Sequence, residues 1–352
     1  MEFININLQL FALTSNGVNA TVASGSMGAV NAQTGAYTAP NTDLSVEMKT
    51  FYDMTLIDEA SANLVHDQFG QKRPIPANGG KTIEFRKFDA LPKATTPISE
   101  GVTPVGKSLK ATAITATVEQ YGDFITQSDV LELTSLDNTI LEATKLLGKQ
   151  AGMTLDTIVR EKLMAGKNVL YCPKVGTGGA ETAVDSRSAL DNTCQLSVKR
   201  IQKAVAMLRA QNAPTIGGKY VAIIHPYVAY DLMRDPEWID AHKYANPTNL
   251  YEGEIGEVAG VRFVQTTEAK IFDGGVFATL VLGEGAYGVT DITGGGLQTI
   301  VKQKGSAGTA DPLDQRSSVG WKAMKTAEIL VEQYMVRIES KSAEWSADAS
   351  AN

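Results

Sequence analysis

The chain has 352 residues, 43% apolar and 20% charged, with 32 basic and 39 acidic side chains for a net charge of −7 and a pI near 5.2. That length sets an expectation of about two domains, and the composition excludes a disordered chain. The longest apolar runs, such as Val221-Ala222-Ile223-Ile224, are far short of the about 20 residues a membrane helix needs, so the chain is expected to be soluble.

The acidic balance, with no run of four Lys or Arg, argues against a protein built to grip nucleic acid through its phosphates. Cys172 and Cys194 form neither a disulfide framework nor a CxxC pair, and His66, His225 and His242 lack companions at zinc-ligand spacing. The expectation is therefore two reduced thiols, no metal and no cofactor. Met1 to Ala12 has no basic start and alternates apolar with polar residues, unlike a secretory signal, so the chain is expected to stay where it is made.

In chain order, residues 13–45 are a Ser, Thr, Asn, Gly and Ala mixture that cannot bury enough apolar area to offset its ordering entropy, which predicts an extended arm. From Ser45, the spacing of Phe51, Met54, Leu56, Ile57, Leu64, Val65 and Phe69, with Gly70 at the stop, predicts one helix or two short ones. Period-two segments at Lys81–Phe88 and Leu109–Gly122, separated by a Pro-, Thr- and Gly-rich connection, predict two strands of a projecting hairpin. Such a ribbon has too little apolar surface to make its own core and needs a neighbour to lie on.

Ile140, Ala143, Leu147, Ala151, Leu155 and Ile158 trace one face of a helix from Leu136 to Leu163, with Ser135 and Asp137 as candidate caps. Roughly 30 residues make a rod of about 45 Å, a structural spine. Residues 170–195 read as Gly-rich loop and 196–211 as helix. Further on come a buried strand at 220–224, a helix at 226–233, strands at 258–265 and 276–282, and a strand-rich stretch at 327–340. The order predicts α+β architecture, not a doubly wound βα repeat.

Two motif matches fail on context. Gly101-Val-Thr-Pro-Val-Gly106-Lys107-Ser108 fits the phosphate-loop pattern, but a strand pattern follows it where a helix N-terminus is needed, and Pro104 removes an amide donor. Gly283-Glu-Gly285-Ala-Tyr-Gly288 fits a dinucleotide pattern, yet no helix can open after it and no ribose-binding acid stands about 20 residues on. The histidines have no nucleophile elbow to serve, so each reads as an ordinary core or surface residue.

An arm, a hairpin and a spine helix, in that order and without a chemical site, resemble the major capsid proteins of tailed bacteriophages with the Hong Kong 97-like fold. The likeness extends to the subfamily typified by the phage N-four major coat protein. It is carried by Asn7-Leu-Gln-Leu-Phe-Ala12, by Gly79-Gly-Lys-Thr-Ile-Glu-Phe-Arg86 with Glu100-Gly-Val-Thr-Pro104 and Gln120-Tyr-Gly-Asp123, by Leu146-Leu-Gly148 and Leu155-Asp156 in the spine, and by Asp311-Pro-Leu-Asp-Gln-Arg316 with Ser318-Val-Gly-Trp-Lys322.

The resemblance implies an N-terminal arm at 1–45, a helical segment at 46–77 and an extended loop at 78–125. It further implies a peripheral domain with the spine at 126–190, an axial domain at 191–326 and a C-terminal strand region and tail at 327–352. Its implied function is structural, with no catalytic residues: pentamers and hexamers of this chain closing an icosahedral head around double-stranded DNA. Scaffolding, portal and decoration proteins are the implied partners, DNA contact would be nonspecific, and no membrane is involved. The virion capsid is the implied location, after assembly in the host cytoplasm, and a bacterial encapsulating compartment with the same fold is the alternative. Phe85, Arg86, Glu100, Lys107, Arg316 and Trp321, within or beside these blocks, are the candidate inter-subunit contacts.

Overall fold

A computed structural model describes residues 54–60, 64–88, 91–97, 100–101, 103, 106–134, 139–176, 178–245, 256–306 and 311–352. The arm at 1–45 and the caps Ser135 and Asp137 lie outside the described residues. The chain divides into two units, one of Met1–Asp58, Asp123–Gly148 and Gln298–Trp321, the other of Glu59–Gly122, Lys149–Leu297 and Lys322–Asn352.

The larger unit is organised by a seven-stranded mixed sheet. Its order is Val169–Tyr171, Met335–Lys341, Val276–Leu282, Tyr220–Ile224, Val261–Gln265 and Glu257–Val258, with Ile271–Phe272 paired to Val276–Leu282 beside this path. Tyr220–Ile224 and Val276–Leu282 are buried at every residue, which is why they read as unbroken apolar runs and not as alternating ones. Alternate residues serve two cores. Ala222, Ile224, Phe277 and Val281 pack with Ile201, Leu208 and Leu232 from the helices Val198–Ala210 and Pro226–Met233. Ile223, Leu280 and Leu282 pack with Val159 and Leu163 of the spine helix on the other face. At about 1.5–3 kcal/mol per large side chain buried, this double use of one sheet is the main stabilising feature of the unit.

A polar knot is built into the same sheet. Glu339, with no exposed surface, accepts two bonds from the Arg187 guanidinium at 2.6 and 2.7 Å and one from Arg337 Nε at 2.9 Å. Arg187 also stacks 3.4 Å above the Phe272 ring. The edge hairpin Glu257–Val258 to Val261–Gln265 turns at Ala259 and Gly260, both at positive φ (56° and 78°), the backbone hand that suits the twist of a two-residue strand turn.

The spine helix runs from Thr139 to Met164, so its described start is three residues later than the spacing suggested. The predicted hairpin is present: Thr82–Phe88 pairs antiparallel with Ala111–Thr117, from Thr82 opposite Thr117 to Phe88 opposite Ala111. The alternating stretch 109–122 is divided, however. After Ala111–Thr117 a second strand, Glu119–Ser128, pairs with the long strand Arg316–Ile329.

Other expectations need correction. Among the described residues before Gly70, 54–60 are helical, and 64–70 form a turn instead of helix. Residues 170–195 contain the short strands Lys174–Val175 and Glu181–Thr182 in place of uninterrupted loop. The C-terminal strands are two, Arg316–Ile329 and Met335–Lys341, separated by the single turn Glu332–Tyr334.

Candidate assembly surfaces

The six candidate contact residues divide by burial. Phe85 is 4% exposed and Trp321 3%, so both rings are spent inside the subunit. Phe85 fills a notch that exists because residue 288 is glycine: a Cβ there would stand 2.9 Å from its Cε1 and Cζ atoms. The ring thereby fixes the base of the hairpin onto the strand Tyr287–Thr290. Arg86, Glu100, Lys107 and Arg316 are exposed. Arg86 Nε bonds Glu84 Oε1 on the same strand at 2.9 Å, Lys107 Nζ donates to the Pro92 carbonyl at 3.3 Å across the loop, and the Arg316 amide donates to Asp311 Oδ2 at 2.8 Å.

Apart from Phe85, Ala116 and the half-buried Ile83, Lys87 and Ile114, the paired strands of the hairpin are exposed. Residues 106–110 run as irregular chain into the strand Ala111–Thr117, so no helix N-terminus follows the phosphate-loop match. The dinucleotide match is a tight strand-to-strand turn. Its Gly283 amide donates to the Tyr334 carbonyl at 2.8 Å and its Glu284 amide to Pro214 at 2.9 Å, so both donors are engaged within the chain.

Two of the histidines that sequence reading set aside, His66 and His225, have structural work. His66 is wholly buried with Nδ1 2.6 Å from Asp156 Oδ2 on the spine helix, while Asp156 Oδ1 accepts the backbone amides of Val65 at 2.9 Å and His66 at 2.7 Å. The Tyr287 hydroxyl donates to the His66 carbonyl, and burial pushes that phenol upward. The next residue, Asp67, is raised by burial, but Lys325 at 2.8 Å and Lys72 at 3.2 Å outweigh this and hold its carboxyl below the usual value. This knot pins the segment leading to the hairpin onto the spine helix. Its only sequence signal is a helix-face carboxylate, and its partner stands 90 residues away in the chain.

His225 caps the helix Pro226–Met233, its Nδ1 accepting the Tyr227 amide at 3.2 Å, and burial lowers its pKa to about 4. Burial pushes the Cys172 thiol up to about 12 and raises Cys194 as well, so both thiols stay protonated.

Among the described residues no group of three or more His, Cys, Asp or Glu is placed to hold a metal ion, and no helix is long and apolar enough to cross a membrane. What the chain presents to a partner is surface: an exposed hairpin, and a stretch around Phe124 to Leu146 with large apolar side chains in water.

Solved structures share this architecture. The capsid protein of cyanophage P-SCSP1u superposes with a TM-score of 0.62 at 14% identity, over 79% of this chain and 88% of that one. The capsid protein of cyanophage Pam1 gives 0.59 at 13% identity, covering 86% and 96%. That of Ralstonia phage GP4 gives 0.57 at 15%, covering 79% and 88%. No curated protein matches the chain.

The fold is thus the α+β Hong Kong 97-like architecture of shell-forming subunits. The phage capsid protein family matches residues 111–336, more than half of the chain, and the chain belongs to that family. It is a major capsid protein, a structural component of the phage shell.

Proposed function

We propose that this chain assembles head to tail into rings of five and six that close an icosahedral head around double-stranded DNA. The family match over residues 111–336 is the observation that carries the reading, and it favours a phage head over a compartment shell. The fold supplies the means: a rigid two-core lobe to tile with, and a hairpin whose strands are too polar to stand alone. The four-part division into arm, extended loop at 78–125, peripheral region with the spine, and axial region at 191–326 is part of this proposal. So are separate scaffolding and portal partners, assembly in the host cytoplasm and the absence of a catalytic step.

Exposed Arg86, Glu100, Lys107 and Arg316 are proposed as direct contacts, with Phe85 and Trp321 setting the shape on which those contacts depend. Each contact is weak enough to let misplaced subunits leave, while many neighbours acting together make the closed shell persistent. The net charge of −7 suits a container that a genome must enter without being held by counterion release. Expression of the chain alone and with its neighbouring scaffold gene, followed by electron microscopy, tests the proposal. Closed shells are expected; only monomers and dimers under every condition would defeat it.

A further inference from the structure

The chain passes from the body of the subunit into the hairpin through one short turn. On the near side Ile75, 3% exposed, bridges Ile292: its amide donates to the Asp291 carbonyl at 2.8 Å, and its carbonyl accepts the Thr293 amide at 2.8 Å. On the far side the Lys81 carbonyl accepts the Val118 amide at 2.8 Å, and Thr82 opens the strand pair opposite Thr117. Pro76 to Gly80 lie between these fixed points, and every one of them is exposed.

The turn restricts its own sequence. The Gly79 amide donates to the Pro76 carbonyl at 2.9 Å, and Asn78, third residue of the turn so closed, stands at φ 66°. That is the arrangement of a type II turn, whose left-handed third position favours Gly or Asn. A Cβ on residue 79 would stand 2.9 Å from the Pro76 carbonyl oxygen and 3.2 Å from Ile75 Cγ2, so glycine is held there too. Two separate steric demands thus set Asn directly before Gly at an exposed hinge. Asn before Gly is also where the backbone most easily attacks a side chain, because the second residue has no Cβ to shield its nitrogen. The other Asn-Gly step, Asn16-Gly17, lies outside the described residues.

We infer that Asn78 is a site of self-modification, deamidating through a cyclic imide and so ageing the hinge of the hairpin. The Gly79 nitrogen gives up its proton and bonds to Asn78 Cγ, and the side-chain nitrogen leaves as ammonia. Water then opens the imide at either carbonyl. One opening leaves aspartate in the ordinary chain; the other leaves isoaspartate, in which the main chain runs through Cβ and Cγ. The balance is water in and ammonia out, with no oxidant, reductant or second protein. Either product exchanges a neutral amide for a carboxylate, and isoaspartate also lengthens the main chain by a methylene, so the bond from Gly79 to Pro76 no longer closes the turn. That same bond holds the attacking nitrogen while the turn is intact. Attack therefore follows opening of the turn and is slower in the folded chain than in the unfolded one.

The wild-type chain, folded and in denaturant, is incubated at mildly alkaline pH. The peptide containing Asn78 is followed by mass spectrometry, and isoaspartate is identified with an isoaspartyl methyltransferase. Conversion is expected at Asn78 in both samples, slower in the folded one, while Asn168, Asn192 and Asn212, each followed by a larger residue, stay intact over the same time. Aged wild type is then expected to lose its hairpin to protease faster than fresh protein. Asn78→Gly keeps the left-handed turn and has no amide to lose, so it should show no such change with age.

A folded chain that stays unconverted while the unfolded one converts overturns the inference, as does failure of both to convert. Conversion without faster hairpin cleavage, or equal ageing in Asn78→Gly, overturns the hinge role. Ala77→Pro presets the second position of the turn and should slow conversion in the folded chain alone. Equal rates with and without it would show that turn opening does not govern the attack. The wild-type time course needs no variant, so a substitution that failed to fold would leave the inference open to refutation.

Discussion

Phe85 shows how one residue couples the hairpin to the body of the subunit. Its ring occupies the space left by the absent side chain at Gly288, and Ile114 stands opposite it in the strand pair. Phe85→Ala removes a buried aromatic and should cost about 3 kcal/mol, seen as a lower denaturation midpoint, with faster proteolysis of the hairpin. Gly288→Ala should act in the same direction by displacing the ring. If hairpin proteolysis is unchanged in both variants, Phe85 does not anchor the ribbon.

His225 makes the second prediction at this scale. Its pKa lies at about 4 in the folded chain, below the ordinary value of 6.5, because burial disfavours the charged ring. The unfolded chain therefore binds more protons between these values, so stability is full above about pH 6.5 and falls as the pH drops toward 4. Protonation also takes away the Nδ1 acceptor that caps the helix. His225→Asn keeps a capping oxygen and does not titrate, so its melting temperature should decline less than that of the wild type between pH 6.5 and pH 4. Parallel declines would show that His225 does not govern this window.

Among the elements, the hairpin is the part whose two faces least resemble those of a folded domain. Deleting Lys93 to Gly106 removes the connection, whose described residues are exposed, and none of the paired strand, so the subunit should melt within about 1 kcal/mol of wild type in stability. Stable shells should then be lost. Normal shells from the deletion would remove the loop from assembly, and an unfolded subunit would show that the connection belongs to the core.

The elements also show where sequence reading succeeded. Tyr220–Ile224, Pro226–Met233 and Val276–Leu282 coincide with their predicted bounds, because an unbroken apolar run and an X-Pro helix start are local signals. The segment 64–70 was misread as helix because its apolar spacing is right. Its Val65 and His66 amides, however, are taken by the Asp156 carboxylate, which no local pattern encodes. The helix Pro236–Ala245 and the first half of Arg316–Ile329 gave no predicted element. The latter mixes Ser, Gly and Lys with apolar residues, and its pairing with Glu119–Ser128 and its other strand partners makes it a strand.

For the whole molecule, the proposed function is carried by surface and repetition. Of the six contact candidates drawn from the resemblance, burial separates Phe85 and Trp321 from the four exposed residues, a division that residue type could not provide. The two motif matches for nucleotide binding show the converse, since their glycines serve a loop and a turn whose amides or flanks leave no phosphate cradle.

The sequence by itself determined composition, charge, the alternating hairpin, the spine helix and the blocks that resemble capsid proteins, because each is written in local spacing or in ordered motifs. Tertiary structure decided which face of each strand serves which core, that His66 and Asp156 meet, that Gly288 receives Phe85, and which candidate residues remain at the surface. Those outcomes depend on residues brought together from distant parts of the chain, where burial and hydrogen bonding outweigh local preference.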